Sequence, residues 1–166
     1  KKETSHDYRY FPDPDIPKLW LSKIPEFQNL NETLPELPSV KRARYATDFG
    51  LKPEDVEIFV SDAKMSDLFE RTVEFLGGEA AAVKTLSNYL TSDLMGLIKN
   101  EVVKIWPTPE SLAVLVRMIN EGEVSSRGAK DILVVMASEG GEPKQIAEAK
   151  NLFQKSDEGE LLKIIE

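Results

Sequence analysis

The pattern of hydrophobic and polar residues predicts a mainly α-helical protein with an extended N-terminal arm. After residue 35, apolar side chains recur at three- and four-residue intervals, which places them on one face of a helix. The clearest of these stripes has the i, i+3, i+4, i+7 spacing and consists of Ala129, Ile132, Leu133 and Met136. We expect such stripes, including the one through Leu112–Ile119, to form the core and not a cofactor site.

Proline, glycine and short polar residues mark the ends of these helices. For example, Thr108-Pro109-Glu110-Ser111 is typical of a helix start, and Gly77-Gly78 and Gly140-Gly141 are typical of helix ends. Helices are predicted at 40–49, 51–60, 79–100, 109–121, 126–139, 143–150 and 157–165. A further helix is predicted to end before Gly77 and to be capped at either Ser61-Asp62 or Ser66-Asp67.

The first third of the chain is predicted to be different. Six of the ten prolines lie in the first 38 residues, and all nine glycines lie from Gly50 onward. Proline disfavours helix for itself and for the residue before it, so we expect an extended arm with one or two short strands. Tyr8–Phe11 and Lys18–Leu21 are the strand candidates. The predicted fold is therefore an arm from the edge of a larger domain followed by two small helical bundles, with Trp106–Pro109 as the internal boundary.

Composition narrows the functions open to the chain. It has 166 residues, 21 basic against 29 acidic side chains, and a formal net charge of -8, which excludes attraction of its whole surface to nucleic acid. It has no cysteine, which excludes disulfides, thiolate zinc sites and cysteine nucleophiles. We expect no membrane-spanning helix, because no apolar run approaches the required length of about 20 residues. Since the chain begins with Lys1 and not with Met, we expect it to be a piece of a longer protein.

The densest group of reactive side chains lies at the start, in His6-Asp7-Tyr8-Arg9-Tyr10-Phe11-Pro12-Asp13-Pro14-Asp15. Side chains alternate in an extended chain, so Asp7 and Arg9 share a face, and Asp13 and Asp15 project on one side. Carboxylates can help to hold Mg²⁺, and Arg9 can clamp a phosphate with two hydrogen bonds. The alternative is a proline-rich loop with solvated side chains and an Arg–Asp pair.

Two basic groups are candidates for nucleic-acid contact. The first is Lys41, Arg42 and Arg44 near the start of a helix, and the second is Arg127 and Lys130, one helical turn apart. Acidic residues lie near both, so solvated helix faces are the alternative. The sequence has no glycine-rich nucleotide-binding motif, no HExxH and no GxSxG, and its single histidine argues against a complete enzyme.

Several segments, in order along the chain, resemble the GatB family, the B component of the aspartyl/glutamyl-tRNA amidotransferase. They are His6 through Ile16, Leu34-Pro35-Glu36-Leu37-Pro38, Arg44-Tyr45, Phe49-Gly50-Leu51, Met65-Ser66-Asp67-Leu68-Phe69-Glu70, Ser87-Asn88-Tyr89-Leu90, Glu121-Gly122, Ser125-Ser126, Ala129-Lys130, Gly140-Gly141 and Gln154-Lys155-Ser156-Asp157-Glu158.

The resemblance implies a ligase that works in translation in the cytoplasm. The family forms a heterotrimer with an amidase (the A component) and a small protein (the C component), and it converts Glu-tRNA(Gln) to Gln-tRNA(Gln) or Asp-tRNA(Asn) to Asn-tRNA(Asn). ATP and Mg²⁺ activate the misacylated carboxylate, and ammonia from glutamine displaces the phosphate. The misacylated tRNA is the implied partner, with no DNA and no membrane.

The resemblance also implies domains and roles for this chain. Residues 1–34 would be the C-terminal edge of the catalytic cradle domain, 35–106 the helical domain, and 107–166 part of the GatB/YqeY tail. The residues expected at the edge of the kinase pocket are Asp7, Arg9, Asp13 and Asp15, with His6 and Arg9 near the nucleotide. The expected tRNA contacts are Lys41, Arg42, Arg44, Arg127 and Lys130. We expect the fragment alone to be inactive, and a non-catalytic adaptor that binds another protein through its bundles is the alternative function.

Overall fold

The computed structural model describes Asp15, residues 19–27 and residues 35–154. Contacts divide the chain into two units, Lys1–Glu36 and Leu37–Glu166. The strand predicted at Tyr8–Phe11 and the helix predicted at 157–165 lie outside the described residues.

The described part of the first unit contains two short 3₁₀-helices, Leu21–Lys23 and Pro25–Phe27. The strand predicted at Lys18–Leu21 is wrong for residues 19–21. The backbone N–H of Lys23 donates to the carbonyl of Trp20, a local bond of the 3₁₀ type and not one between neighbouring strands. Leu19 and Trp20 are 72% and 59% exposed, and the Lys23 ammonium lies 5.6 Å from the centre of the Trp20 ring.

The second unit is helical, which confirms the prediction of a mainly α protein. Its helices are α1 (Pro38–Asp48), α2 (Pro53–Ser61), α3 (Ala63–Leu76), α4 (Ala80–Asn88), a π-helical segment (Tyr89–Leu94), α5 (Met95–Lys99), α6 (Pro109–Asn120), α7 (Ser126–Ser138) and α8 (Pro143–Ala149). Within the described ranges there is no strand, and Val124 and Phe153 form an isolated antiparallel bridge. None of the helices in these ranges is long and apolar enough to cross a bilayer.

Short polar side chains start several helices as the sequence predicts. The Asp62 carboxylate accepts hydrogen bonds from the backbone N–H groups of Lys64 and Met65 at the start of α3. Thr108 caps α6 and Ser125 caps α7 in the same way. These side chains satisfy N–H groups that have no partner inside the helix. The α3 helix ends at Gly77, whose φ of +67° suits glycine because a side chain would be strained there.

One hydrophobic core runs through the described part of the second unit, from Tyr45 to Ala147. The predicted stripe on α7 is fully inside it, with Ala129, Ile132, Leu133 and Met136 at most 1% exposed. Helix α6 packs against α3, α4 and α8, so residues on both sides of Trp106–Pro109 contribute to the same core. The division into domains 1–34, 35–106 and 107–166 stays a prediction.

The helix predicted over 79–100 contains a feature that periodicity does not show. After α4 the hydrogen-bond spacing widens, and the N–H of Met95 donates to the carbonyl of Leu90, five residues earlier. Leu90 and Leu94 in this π-helical segment are fully buried. Such segments are uncommon, and they frequently lie near functional sites.

Candidate functional site

The acidic and basic residues predicted near the N-terminus are mostly beyond what the structure describes. His6, Asp7, Arg9 and Asp13 lie outside the described residues, and Asp15 is exposed in a turn. Their assignment to a nucleotide pocket therefore stays a prediction.

The predicted basic residues on α1 form ion pairs across helices. Arg42 donates two hydrogen bonds to the Glu57 carboxylate on α2, from Nε at 2.6 Å and from Nη2 at 3.0 Å. This hydrogen bonding lowers the pKa of Glu57 from its ordinary value and raises that of Arg42. The pair is exposed on both sides, so it joins α1 to α2 at the surface.

A second set of contacts, which we call the α1–α3 cluster, consists of Lys41, Arg44, Tyr45, Ser66 and Glu70. The Tyr45 hydroxyl lies 2.8 Å from Ser66 Oγ and donates to Glu70 Oε1 at 2.6 Å. Arg44 Nη2 donates to the same Glu70 oxygen at 2.7 Å, and Lys41 Nζ lies 3.6 Å from it. The guanidinium of Arg44 also lies 5.0 Å from the centre of the Tyr45 ring, within cation–π range. One carboxylate therefore joins three side chains of α1.

Burial and hydrogen bonding set the protonation of this cluster. Burial, and then the hydrogen bond to Glu70, raise the pKa of Tyr45 above its ordinary value. Burial alone would raise the pKa of Glu70, but the hydrogen bonds from Tyr45 and Arg44 together with the charges of Lys41 and Arg44 outweigh it, so the net shift is downward. At neutral pH the cluster thus holds a neutral phenol against an ionised carboxylate.

The Tyr45 ring lies among three phenylalanines. Its centre is 5.5 Å from that of Phe49, 5.9 Å from Phe59 and 5.5 Å from Phe69. Phe59 and Phe69 stack at 4.5 Å. Four segments that are separate in the sequence meet here: Arg44-Tyr45, Phe49, Phe59, and Ser66 to Glu70. The cluster is well suited to joining α1 to α3, because the Glu70 carboxylate already engages both of its cations, Lys41 and Arg44.

The other predicted basic residues lie where the π-helical segment faces the start of α7. This π–α7 contact consists of Tyr89, Asp93, Ser126 and Lys130. The Tyr89 hydroxyl donates to the Ser126 carbonyl at 3.3 Å, and Lys130 Nζ pairs with Asp93 Oδ1 at 2.9 Å. Burial and then the charge of Asp93 raise the pKa of Tyr89, and the hydrogen bond to Asp93 raises that of Lys130.

Arg127 lies beside the π–α7 contact and differs from the other four predicted basic residues. Its side chain is exposed. Among the residues that the structure describes, none forms an ion pair with it. Of the five predicted tRNA contacts, all of which the structure describes, Arg127 is the one without an ion pair.

Sequence reasoning missed Ser66, Glu70, Tyr89 and Asp93 as functional partners. The first three lie in segments that carry the family resemblance, and that resemblance is the signal that points to them. Their contacts depend on helix packing, which the sequence does not show. Within residues 15, 19–27 and 35–154 there is no group of three or more histidine, aspartate or glutamate side chains placed to hold a metal ion.

Comparison with known proteins gives a consistent result over the whole chain. The GatB domain family matches residues 67–166. A protein of Rippkaea orientalis (strain PCC 8801 / RF-1), named as the B component of aspartyl/glutamyl-tRNA(Asn/Gln) amidotransferase, is 38% identical over 169 residues, covering 100% of this chain and 33% of that protein. Proteins of the same name from Brevibacillus brevis and Enterococcus faecalis are 38% and 37% identical, and each alignment covers 99% of this chain and 34% of the relative. The chain thus spans about a third of the length of these curated relatives.

Proposed function

Because this chain belongs to the GatB family, we propose that it is the C-terminal part of the GatB component of a tRNA-dependent amidotransferase. The observation that carries the proposal is the similarity over the full chain to proteins with that name, at 38% identity over 169 residues. In the complete enzyme the activity would be conversion of Glu-tRNA(Gln) or Asp-tRNA(Asn) to the amide form with glutamine-derived ammonia. Its partners in the cytoplasm would be the amidase and the small protein of the heterotrimer, together with the misacylated tRNA.

The role that we propose for this part is to position the tRNA. Phosphate contacts need cations that are not already neutralised, since each contact gains by releasing a counterion. Lys41, Arg42 and Arg44 are paired with Glu57 and Glu70, which supports a structural role for them. Arg127, with Lys130 one turn away, is the better candidate for a tRNA contact.

The edge of the kinase pocket is the second part of the proposal. ATP and Mg²⁺ would activate the carboxylate in the full-length protein, where Mg²⁺ neutralises phosphate charge. Carboxylates of Asp7, Asp13 and Asp15 are oxygen donors of the type that Mg²⁺ prefers, and Arg9 has the planar donor set that suits a phosphate. His6 would lie beside the nucleotide.

A binding measurement tests the tRNA role. We expect the 166-residue chain to bind tRNA weakly and with strong salt dependence, because its net charge is -8. Arg127→Gln should weaken binding by about threefold to tenfold and reduce the salt slope by about one phosphate contact. Lys144→Gln on α8 removes the same charge and serves as the control. Fluorescence anisotropy with labelled tRNA measures the affinity and its salt dependence. Equal effects of the two substitutions would contradict the assignment of Arg127 as a tRNA contact.

An activity measurement tests the pocket. Asp13→Asn in the full-length protein within its complex should reduce ATP-dependent activation of the misacylated carboxylate and leave glutamine hydrolysis intact. Unchanged activation would remove Asp13 from the pocket, while loss of both activities would indicate a damaged complex and not a local role.

A non-catalytic protein-binding adaptor is a second candidate. The exposed apolar side chains of Leu37 and Val40 at the start of α1, which are 64% and 54% exposed, favour it. Measurement of tRNA binding at low salt distinguishes the two functions, because an adaptor of this kind would not bind tRNA.

A further inference from the structure

Trp106 lies in the connection between α5 and α6, and the proposed function does not use it. Its ring is partly buried, and the Lys64 ammonium lies 3.8 Å from the ring centre, within cation–π range. Within the described ranges the indole N–H has no hydrogen-bond partner. It is not enclosed, since Ser87 Oγ is the one buried side-chain polar atom in those ranges that lacks a partner. Because an indole N–H in a buried setting usually finds a partner, this one is available to a ligand.

Two cavities meet at this indole. The larger, of about 340 Å³, is also lined by Lys64, Asp67, Arg71 and Glu110, whose charges cancel. The smaller, of about 220 Å³, is not lined by Lys64. A flat ligand in the smaller cavity can therefore contact the indole without displacing the ammonium group. We call this smaller space the Trp106 cavity.

Apolar side chains and a glycine turn form the walls of the Trp106 cavity. Besides the indole, its lining includes Ile105, Pro107, Met136, Gly140 and Gly141. Gly141 has a φ of +110°, and its backbone N–H has no hydrogen-bond partner among the residues that the structure describes. Because glycine has no side chain, a ligand can approach this N–H closely. The volume is below that of pockets for drug-sized molecules, so the cavity suits a single ring system.

Two side chains bring further hydrogen-bonding groups to the cavity. Glu142 and Gln145 line it, and both are exposed. Neither forms an ion pair or a side-chain hydrogen bond with any residue in the described part of the chain. A carboxylate accepts hydrogen bonds, whereas an amide both donates and accepts them. Glu142 carries the one charge of the described lining, so the cavity disfavours phosphate and favours a neutral ring with N–H donors.

We propose that the Trp106 cavity binds an unpaired guanine base. The base stacks on the indole, as unpaired bases do on aromatic side chains. Its N1–H and its N2 amino group are adjacent donors that match the Glu142 carboxylate, and its O6 accepts from the Gly141 N–H.

The carboxylate is what selects guanine over the other bases. Adenine and cytosine each have a single amino donor on the pairing edge, and uracil has one N–H between two carbonyl groups, so none of them offers two adjacent donors. The guanine belongs either to an RNA or to a free nucleotide. As a site for RNA, the inference rests on the proposed function, while a free nucleotide does not require it.

NMR titration of the full 166-residue chain tests the proposal. The chain has two tryptophans, so its spectrum has two indole N–H signals, and Trp20→Phe identifies that of Trp106. At constant ionic strength we expect guanosine monophosphate to shift the Trp106 indole signal and the Gly141 amide signal saturably. Adenosine and uridine monophosphates carry the same phosphate and should bind at least about fivefold more weakly.

A matched pair of substitutions tests the role of the carboxylate. Glu142→Gln should weaken the affinity for guanosine monophosphate by about fivefold or more and reduce the preference over adenosine monophosphate. Glu139→Gln is the control, because it removes the same charge three residues away, at a position that does not line the Trp106 cavity. The control should leave the affinity unchanged. Dispersed spectra of both variants before titration verify that they fold.

Three results would overturn the site. They are shifts that do not saturate by about 20 mM guanosine monophosphate, equal affinities for the guanosine and adenosine nucleotides, and equal effects of Glu142→Gln and Glu139→Gln.

Addition of tRNA then separates the two sources of the base. Displacement of guanosine monophosphate by tRNA, together with weaker tRNA binding by Glu142→Gln, identifies a base of the RNA. Binding of tRNA without displacement of the mononucleotide identifies a free guanine nucleotide.

The failure of this site and the failure of the proposed function can be told apart. If Arg127→Gln weakens tRNA binding and guanosine monophosphate causes no saturable shift, the site fails and the proposed function stands. If guanosine monophosphate binds and the chain does not bind tRNA, the nucleotide site stands and the tRNA role fails.

Discussion

The α1–α3 cluster and the π–α7 contact are built from the same kinds of side chain, and they differ in burial. Each joins two helical segments through a tyrosine, a carboxylate and a cation. Tyr45 is completely buried among aromatic rings, and its hydroxyl bonds two side chains. Tyr89 is partly exposed and makes one long hydrogen bond to a backbone carbonyl.

The difference shows what burial does to a polar contact. In the α1–α3 cluster a lost partner leaves a group that water reaches poorly, so each hydrogen bond matters for stability. In the π–α7 contact water replaces a lost partner, so the ion pair contributes little. We therefore expect the first to act as a structural joint and the second to be free to serve binding. Four tests, each built on one or two substitutions, examine this difference.

The largest effect is expected from Phe69→Ala. Phe69 is 0% exposed and lies at the centre of the aromatic group beside Tyr45. The cavity left by the ring should cost about 3–5 kcal/mol of unfolding free energy in urea titrations. Phe75→Ala on the same helix is the control, because Phe75 is 43% exposed and its loss should cost less than about 1 kcal/mol. Similar costs for the two would show that the aromatic group does not hold α1 against α3.

Glu70→Gln should have the next largest effect. The neutral amide weakens the hydrogen bonds from Arg44 and Tyr45. We expect the free energy of unfolding to fall by about 1 kcal/mol at pH 7, a modest value because the carboxylate is one-third exposed. Folding lowers the pKa of Glu70. The carboxylate therefore stabilises the folded chain at pH values above its ordinary pKa, and this stabilisation is lost as the pH falls through the folded-state pKa.

The difference in unfolding free energy between Glu70→Gln and the unchanged chain should therefore shrink as the pH falls below the ordinary pKa of glutamate. Unfolding curves at several pH values measure it. Glu57→Gln removes the exposed partner of Arg42 and should have a much smaller effect at pH 7, and a difference that does not depend on pH would contradict the role of the Glu70 charge.

Two buried serines provide a matched pair. Ser66 and Ser87 are each 1% exposed and inside helices, but Ser66 Oγ is bonded to Tyr45 and Ser87 Oγ has no partner among the described residues. Replacement by alanine changes helix propensity equally in both, so the difference between the two variants combines the lost Ser66 hydrogen bond with removal of the unpaired Ser87 hydroxyl. We expect Ser66→Ala to be less stable than Ser87→Ala by at least about 1 kcal/mol. Equal stabilities would mean that the Ser66 bond contributes nothing.

Lys130→Gln should have the smallest effect. It removes the exposed ion pair with Asp93, and we expect unfolding curves that overlap those of the unchanged chain at both low and high salt. Amide hydrogen exchange in the π-helical segment should also stay the same, because buried Leu90 and Leu94 hold that segment in place. Faster exchange there would show that the ion pair supports the π-helical geometry.

Much of the secondary structure was predictable because its signals are local. Pro53 at the start of α2, Asp62 before α3, Thr108 before α6 and Ser125 before α7 act within three or four residues of their own position. The strand predicted at Lys18–Leu21 was wrong for residues 19–21 because extended structure needs a partner strand, and proline content alone does not provide one.

The candidate site was less predictable. Lys41, Arg42 and Arg44 looked like a basic patch because the sequence shows their charges and not their partners. Glu70 follows Tyr45 by 25 residues and Glu57 follows Arg42 by 15, so only helix packing brings each carboxylate to its cation. The family resemblance pointed to Arg44-Tyr45 and to Ser66 to Glu70 as separate segments, and their contact was not predicted.

The amino-acid sequence by itself indicated, within a few residues, where most of the described helices of the second unit begin, which faces of them are apolar, and to which family the chain belongs. Hydrogen-bond geometry and side-chain periodicity act over one or two turns, so they can be read along the chain. The tertiary structure alone decided which cations keep their charge available, where helix α4 continues as a π-helix, and which buried hydroxyl lacks a partner. Those properties depend on distances between atoms far apart in the chain, and packing sets them.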